Sequence, residues 1–209
     1  MIVVPLDSSF EPVFWEHVTR DVPYYYHFIM DLKHDRSSTK IWLALNEREK
    51  LSGLMMVFRD TIVQLRGVSE AVNLLLETLD LEKAEIQVPI EHKDLVIKRF
   101  KNIGYSTDLV LMVLRKGEEK VQITHPLIRP TAEYAKEIAA LMKSGDPDWW
   151  GDVSAERIAK RLDNWLCRGV NVDGKLVSFA AATLDEIGGI IAPVVTKEEY
   201  RNRGYATSI

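Results

Sequence analysis

Cysteine is almost absent: Cys167 is the one thiol in 209 residues. That excludes an internal disulfide and fits a reducing cytoplasm. Long apolar runs are missing too. None reaches about 18 residues, so a membrane-spanning helix is not expected. The opening residues, Met1-Ile2-Val3-Val4-Pro5-Leu6-Asp7, lack the charged and apolar regions of a secretory signal. Basic charge is not in excess, with 27 Lys and Arg against 31 Asp and Glu and a net charge of −4. No block of basic residues stands out, so nucleic acid is not an expected partner. The five histidines show no metal-ligand spacing, and His34-Asp35 alone is not a zinc site, so no metal is expected. Glutamine is scarce, three residues among many Lys and Glu, a faint lean toward a thermophilic composition.

What remains is an ordinary globular composition, 46% hydrophobic and 28% charged, with chain enough for one large domain or two small ones. Apolar and aromatic residues recur at helical spacing over 10–20 (Phe14, Trp15, Val18) and 22–34 (Tyr25, Phe28, Ile29, Leu32). They predict two helices broken at Asp21-Val22-Pro23, since proline disfavours helix at the residue before it. The neighbouring Tyr24, Tyr25 and Tyr26 suit core packing or the wall of a pocket. Residues 39–45 and 51–59 read as a hairpin, 61–65 as a third strand ended by Arg66-Gly67. Ser69 reads as the cap of a helix over 71–79, followed by a strand over 84–88, a helix over 89–103 and a strand over 105–114. The charged run 116–120 is then a linker, and divides the chain into domains 1–117 and 118–209.

The second half starts with a strand over 121–128 and a helix over 132–143, with Thr131 as its cap. A loop over 144–152 carries Trp149 and Trp150. Ser154 caps a helix that the apolar spacing of Ile158, Leu162, Trp165 and Leu166 extends to Arg168. Asp173-Gly174 is a strong hairpin signal before a strand over 175–183. A turn over 184–188 leads to the apolar run 189–195, which reads as a buried strand.

That run opens the most informative stretch. After Val194-Val195-Thr196 comes Tyr200-Arg201-Asn202-Arg203-Gly204-Tyr205-Ala206-Thr207. A strand passing through a basic, glycine-containing turn toward a helix is suited to an anion, because backbone N–H groups are exposed and glycine lets a phosphate approach. Arg201 and Arg203 add charge-assisted bonds. Arg201-x-x-Gly204-x-Ala206 in this setting resembles the pyrophosphate loop of the GNAT superfamily of acyl-CoA-dependent N-acyltransferases. Arg129-Pro130-Thr131 with its helix also resembles the first strand and helix of that family. The resemblance implies a mixed α/β (α+β) fold, a mostly antiparallel sheet flanked by helices, with acetyl-CoA as co-substrate. It implies that Val194, Val195 and Thr196 offer backbone groups to the pantetheine arm. Arg201, Asn202, Arg203, Gly204, Tyr205 and Ala206 would then cradle the pyrophosphate.

The order of elements in the two halves is similar enough to read as a repeat of one GNAT-like domain. The first copy has Gln64-Leu65-Arg66-Gly67-Val68-Ser69 where the loop should be. Leu65 and Val68 suit packing, so this copy is read as degenerate, without cofactor. The second copy ends soon after its loop, and the resemblance implies about 50–60 further residues in a complete domain.

Transfer needs a base for the amine proton. The interior of the last strand is apolar, and Glu186 at its entrance, beside Asp185, is the nearest carboxylate; both also suit a solvated turn. Asp148, Trp149 and Trp150, with Asp146, suit binding of a cationic amine, and equally suit packing. Cys167 reads as a small buried apolar residue. The expected function is N-acetyl transfer to an amine of a small molecule or protein. The alternative is a non-catalytic CoA-binding or regulatory module, and a purely structural protein comes third. A homodimer is compatible with all three.

Overall fold

A strand that periodicity does not reveal, Ile2–Pro5 (β1), opens the chain and pairs antiparallel with Thr39–Leu45 (β2). The computed structural model describes all residues, Met1–Ile209, which form two compact units, Met1–Val113 and Leu114–Ile209. In the first unit Glu11–Val18 (α1) and Tyr26–His34 (α2) lie between β1 and β2. They are separated around Pro23, as the proline rule requires.

Leu51–Phe58 (β3) returns beside β2, with the Asn46 carboxamide accepting from the N–H groups of Arg48 and Lys50 in the turn. Arg59 and Asp60, both left-handed at φ of 53° and 52°, then form a two-residue turn into Ile62–Gly67 (β4). Ser69–Glu77 (α3) follows, then Glu85–Gln87 (β5), parallel to β4, and Lys93–Arg99 (α4). The sheet order is β1-β2-β3-β4-β5.

Period-two alternation sorts this sheet into two faces. Ala44, Met55, Val57, Val63 and Leu65 pack with Ala71, Val72, Leu75 and Leu76 of α3. On the other face Leu43 opposes Leu54 and Ile41 opposes Met56, and that row continues to Gln64 and Arg66. Phe14, Val18, Phe28 and Ile29 of α1 and α2 are buried there. Each such side chain contributes about 1.5–3 kcal/mol on leaving water.

Three expectations change in this unit. Val68, not Ser69, holds the N-cap position of α3, and no side chain caps it. The Ser69 hydroxyl instead lies 3.4 Å from Nδ1 of the buried His92, whose Nε2 donates to the Gly67 carbonyl at 2.8 Å. The helix after β5 stops at Arg99. Residues 105–114 form no strand, and Leu109 and Met112 are 83% and 86% exposed. Apolar sequence makes a strand only where a neighbouring edge supplies hydrogen bonds, and no edge of this unit pairs with it.

In the second unit the strand expected over 121–128 is reduced to Ile128, which exchanges two backbone bonds with Gly169 at 2.9 and 3.0 Å. Ala135–Gly145 (α5) follows a 3-10 turn, and the Thr131 side chain does not cap it. The expected loop contains a short helix, Pro147–Trp150 (α6), capped by the Asp146 carboxylate, which accepts from the Trp149 N–H at 3.0 Å. Ala155–Leu162 (α7) begins at Ser154 as expected, with Ser154 Oγ accepting from the Arg157 N–H at 3.2 Å.

The helix ends at Leu162 rather than Arg168. Residues Leu166–Val172 form β6, antiparallel to Lys175–Asp185 (β7) through Asp173-Gly174 at φ of 50° and 78°. Gly188–Thr196 (β8) completes the order β6-β7-β8. Trp165 and Cys167 are buried because they enter the sheet core, with Phe179, Ala181, Val195, Ile138, Leu141, Met142 and Ile158. Helical spacing at 158–166 is therefore a coincidence of two adjoining elements. The architecture is mixed α/β with mostly antiparallel sheets flanked by helices.

Candidate functional site

β8 is an edge strand, not a buried one: only β7 flanks it, and Ile191 and Val194 are 67% and 51% exposed. Between Ala180 and Ala182 of β7, two residues of β8, Ala192 and Pro193, oppose one. This is a bulge, where a residue without an N–H is tolerated. Beyond it the ladder is regular, and the Lys197 N–H donates to the Val177 carbonyl at 2.9 Å. Antiparallel alternation then directs the peptide groups of Val195 toward β7 and those of Val194 and Thr196 toward the open edge. The three residues expected to face a pantetheine arm thus divide. Val194 and Thr196 present main-chain groups outward, while Val195 packs in the core.

The chain leaves β8 through a 3-10 turn, Glu198–Tyr200, and enters the basic loop. Asn202 and Gly204 are both left-handed, at φ of 61° and 79°, and Gly204 begins a final helical turn, Tyr205–Ser208 (α8). Arg201 Nε donates to the Thr196 carbonyl at 3.2 Å, and Arg203 Nη2 donates to the Glu199 carbonyl at 3.0 Å. The Arg203 guanidinium also lies 5.2 Å from the centre of the Tyr200 ring. Both arginines remain exposed, with no carboxylate paired to either. Exposed positive charge around a main-chain turn is chemistry that suits phosphate oxygens.

Two residues that sequence reasoning missed hold this loop. The Thr124 N–H donates to Ser208 Oγ at 3.1 Å, and the two hydroxyls lie 2.9 Å apart. His125 Nε2 donates to the Arg203 carbonyl at 2.8 Å, and its ring packs on Tyr205 with centroids 4.5 Å apart. Ser208 is buried as a result. No local pattern could have exposed this clamp, because its partners are some eighty residues apart.

An open cleft of about 300 Å³ lies between α5 and the start of the loop, lined by Ala140, Leu141, Ser144, Lys197, Glu198 and Glu199. The end of α5 is pressed onto β8: a Cβ on Gly145 would stand 2.6 Å from Val195 Cγ2. That contact places the start of α6 beside the loop end of β8. Asp148 is exposed, Trp149 is half-exposed, and Trp150 packs against the core with its ring edge-on to Trp149.

Glu186 is not brought to the loop. It occupies the turn before Gly188, where Asp185 Oδ1 accepts from the Ile187 N–H at 2.8 Å. The length of β8, roughly 25 Å, separates that turn from Thr196. Cys167 faces the core, and burial pushes its thiol up, against the opposing pull of Arg129 and Arg168; it is not an activated nucleophile. No group of His, Cys, Asp and Glu able to hold a metal is present.

These features amount to a basic, glycine-containing turn at the end of an open edge strand in a mixed α/β unit. No family profile matches the chain, and no curated protein does. Among solved structures it is similar to the PaiA N-acetyltransferase from Thermoplasma acidophilum in complex with coenzyme A. Identity is 12% and the TM-score 0.35, over 40% of this chain and 65% of that one. It is also similar to a protein from Xanthomonas campestris pv. campestris described as a putative acetyltransferase belonging to the GNAT family. There identity is 26% and the TM-score 0.33, over 42% of this chain and 63% of that one. The chain spans just under two thirds of the length of each. No helix is long and apolar enough to cross a membrane.

Proposed function

We propose that the second unit carries an acyl-CoA-dependent N-acyltransferase site, with acetyl-CoA as donor and an amine of a small molecule or protein as acceptor. The observation that carries this reading is the outward-facing edge at Val194 and Thr196 running directly into the loop of Arg201, Asn202, Arg203 and Gly204. The loop would hold the pyrophosphate, and Tyr205 and Ala206 would add main-chain N–H groups. The pantetheine arm would lie along the open edge of β8, carrying the thioester away from the loop.

A thioester is already activated toward amines, so holding donor and acceptor in line is the first task. An outward N–H of β8 would receive the developing oxyanion. As the C–N bond forms and the C–S bond breaks, the CoA sulfur leaves as a thiolate and takes a proton from solvent, while the amine proton would pass through water to a carboxylate; Glu186, at the far end of the strand, is the residue we assign to that role. Asp148, Trp149 and Trp150 would receive the cationic acceptor.

The first unit is read as a companion of the same ancestry without acyl-CoA. Its chain passes from β4 into α3 through Gly67 and Val68 alone. A Cβ on Gly67 would stand 2.4 Å from Gly53 Cα, so this glycine serves close packing against β3, which supports the reading that no acyl-CoA loop is built here. A reducing cytoplasm as the place of action rests on the single cysteine.

One observation favours a second reading, a CoA-binding module without catalysis: the interior of β8 carries no carboxylate. Calorimetry with CoA, and thiol release from acetyl-CoA over a panel of amines, decide between the two. Wild type is expected to bind CoA, and Arg201→Ala or Arg203→Ala to weaken binding about tenfold each. Thiol release that falls at least tenfold in Glu186→Gln supports the enzyme. Binding with no thiol release from any amine supports the module. Absence of binding to either form of CoA overturns both.

A further inference from the structure

We propose that the first unit binds a small oxyanion, a carboxylate or phosphate group, through Arg66. This goes beyond the acyl-CoA reading and does not depend on it.

Arg66 sits where two parallel strands part. Gln64 and Gln87 are the last residues paired between β4 and β5, and Arg66 is the next residue of β4 on the same face as Gln64. Ligands of α/β sheets characteristically lodge beyond the carboxyl ends of parallel strands where neighbouring connections diverge. The side chain is mostly buried, below the ring of Tyr24, whose centre is 4.8 Å from the guanidinium carbon.

Its donors are poorly used. Nη1 donates to the Leu65 carbonyl at 2.8 Å and reaches the Gln87 carbonyl at 3.4 Å. Nη2 reaches only Gln64 Oε1, at 3.5 Å. Nε is buried with no acceptor at all. No Asp or Glu forms an ion pair with Arg66. The acids of the neighbourhood, Asp21 and Glu91, raise the Tyr24 phenol, and neither forms an ion pair with the guanidinium. The Tyr25 hydroxyl is bonded to His17 Nε2 at 2.9 Å, and Arg66 also lies close enough to His27 to disfavour a second cation there.

A buried cation lacking a counter-charge is expensive, and an apolar side chain of similar volume would serve packing better. Buried polar atoms in folded proteins are almost always satisfied, by the chain, by water or by an ion. A planar guanidinium with an unused Nε and a weakly used Nη2 is a donor fork whose natural complement is an oxyanion.

The test uses the full chain and two probes, inorganic phosphate and acetate, titrated separately at constant ionic strength. The ¹H–¹⁵N signal of Arg66 Nε reports the site itself. A saturable shift of that signal is expected, with a rise in Tm of about 3–6 °C at about ten times Kd. Saturation by phosphate alone identifies a phosphoryl ligand, and by acetate alone a carboxylate. The effect should persist in Arg201→Ala, which separates it from the loop of the second unit. It should weaken in Arg66→Lys and vanish in Arg66→Met. If Arg66→Met fails to fold by circular dichroism, the Nε signal and Arg66→Lys decide the matter. No saturable Nε shift with either probe, or an equal Tm rise in a folded Arg66→Met, overturns the proposal and leaves a water as the partner of Nε.

Discussion

Burial moves the carboxyl of Asp31, on α2, up to about 6 from an ordinary 3.8, with Arg59 opposing the rise and Asp35 adding to it. Between about pH 4 and pH 6 the folded chain therefore keeps a proton that the unfolded chain releases. Stability from this residue is greatest below that window, falls as pH rises through it and stays low above it. Asp31→Asn removes the ionisation while preserving shape. It should stabilise the chain by about 1 kcal/mol at pH 7.5, a figure held down by solvent screening at a half-buried site. Thermal unfolding of both forms from pH 4 to pH 8 checks this; the gap should close toward pH 4. A neighbouring carboxyl behaves oppositely: the hydrogen bond from Arg59 holds Asp35 below its ordinary value. Residues of one type four positions apart differ because one is buried and the other is bonded to a cation.

At the scale of elements, the loop after β8 keeps its shape through the segment laid on it rather than through α8, a single turn too short to be stable by itself. Thr124→Val removes the hydroxyl that meets Ser208 Oγ, and His125→Ala removes the donor to the Arg203 carbonyl. Amide exchange over 203–208 should then quicken by roughly fivefold per lost bond, from about 1 kcal/mol each, while α5 and α7 keep their protection. CoA affinity should fall in step with that exchange. An unchanged exchange rate in the double variant would show that the clamp is dispensable. The same comparison explains the misread helix over 155–168. Its first half is an amphipathic helix with its cap at Ser154, while Trp165 and Cys167 are buried by β7, a neighbour that arrives later in the chain.

For the whole molecule, the stretch between the last helix of the first unit and Ile128 has no regular structure, and its apolar residues Leu109, Val110, Met112 and Val121 are more than 80% or nearly so exposed. Exposed, unpaired backbone is the preferred substrate of proteases. Brief digestion with a protease of broad specificity should cut first within 105–123, giving fragments that correspond to the two units. Mass spectrometry of the early products checks this; first cuts inside β2–β4 or β6–β8 would contradict it.

Much of the molecule is legible in its sequence. The hairpins at Asn46 and Asp173-Gly174, the break at Pro23, the cap at Ser154 and the basic turn at 201–206 depend on local chemistry, on which side chains cap, turn or carry charge within a few residues. The sequence by itself determined these. Tertiary structure alone decided that β1 joins β2 while residues 105–114 stay unpaired, because strand formation needs a partner edge. It decided that β8 is an open edge, that Thr124 and His125 hold the loop, and that Glu186 stands a strand's length away. It also placed Arg66 under Tyr24 without a counter-charge. Each of these is a relation between residues far apart in the chain, fixed by packing and hydrogen-bond supply rather than by any local pattern.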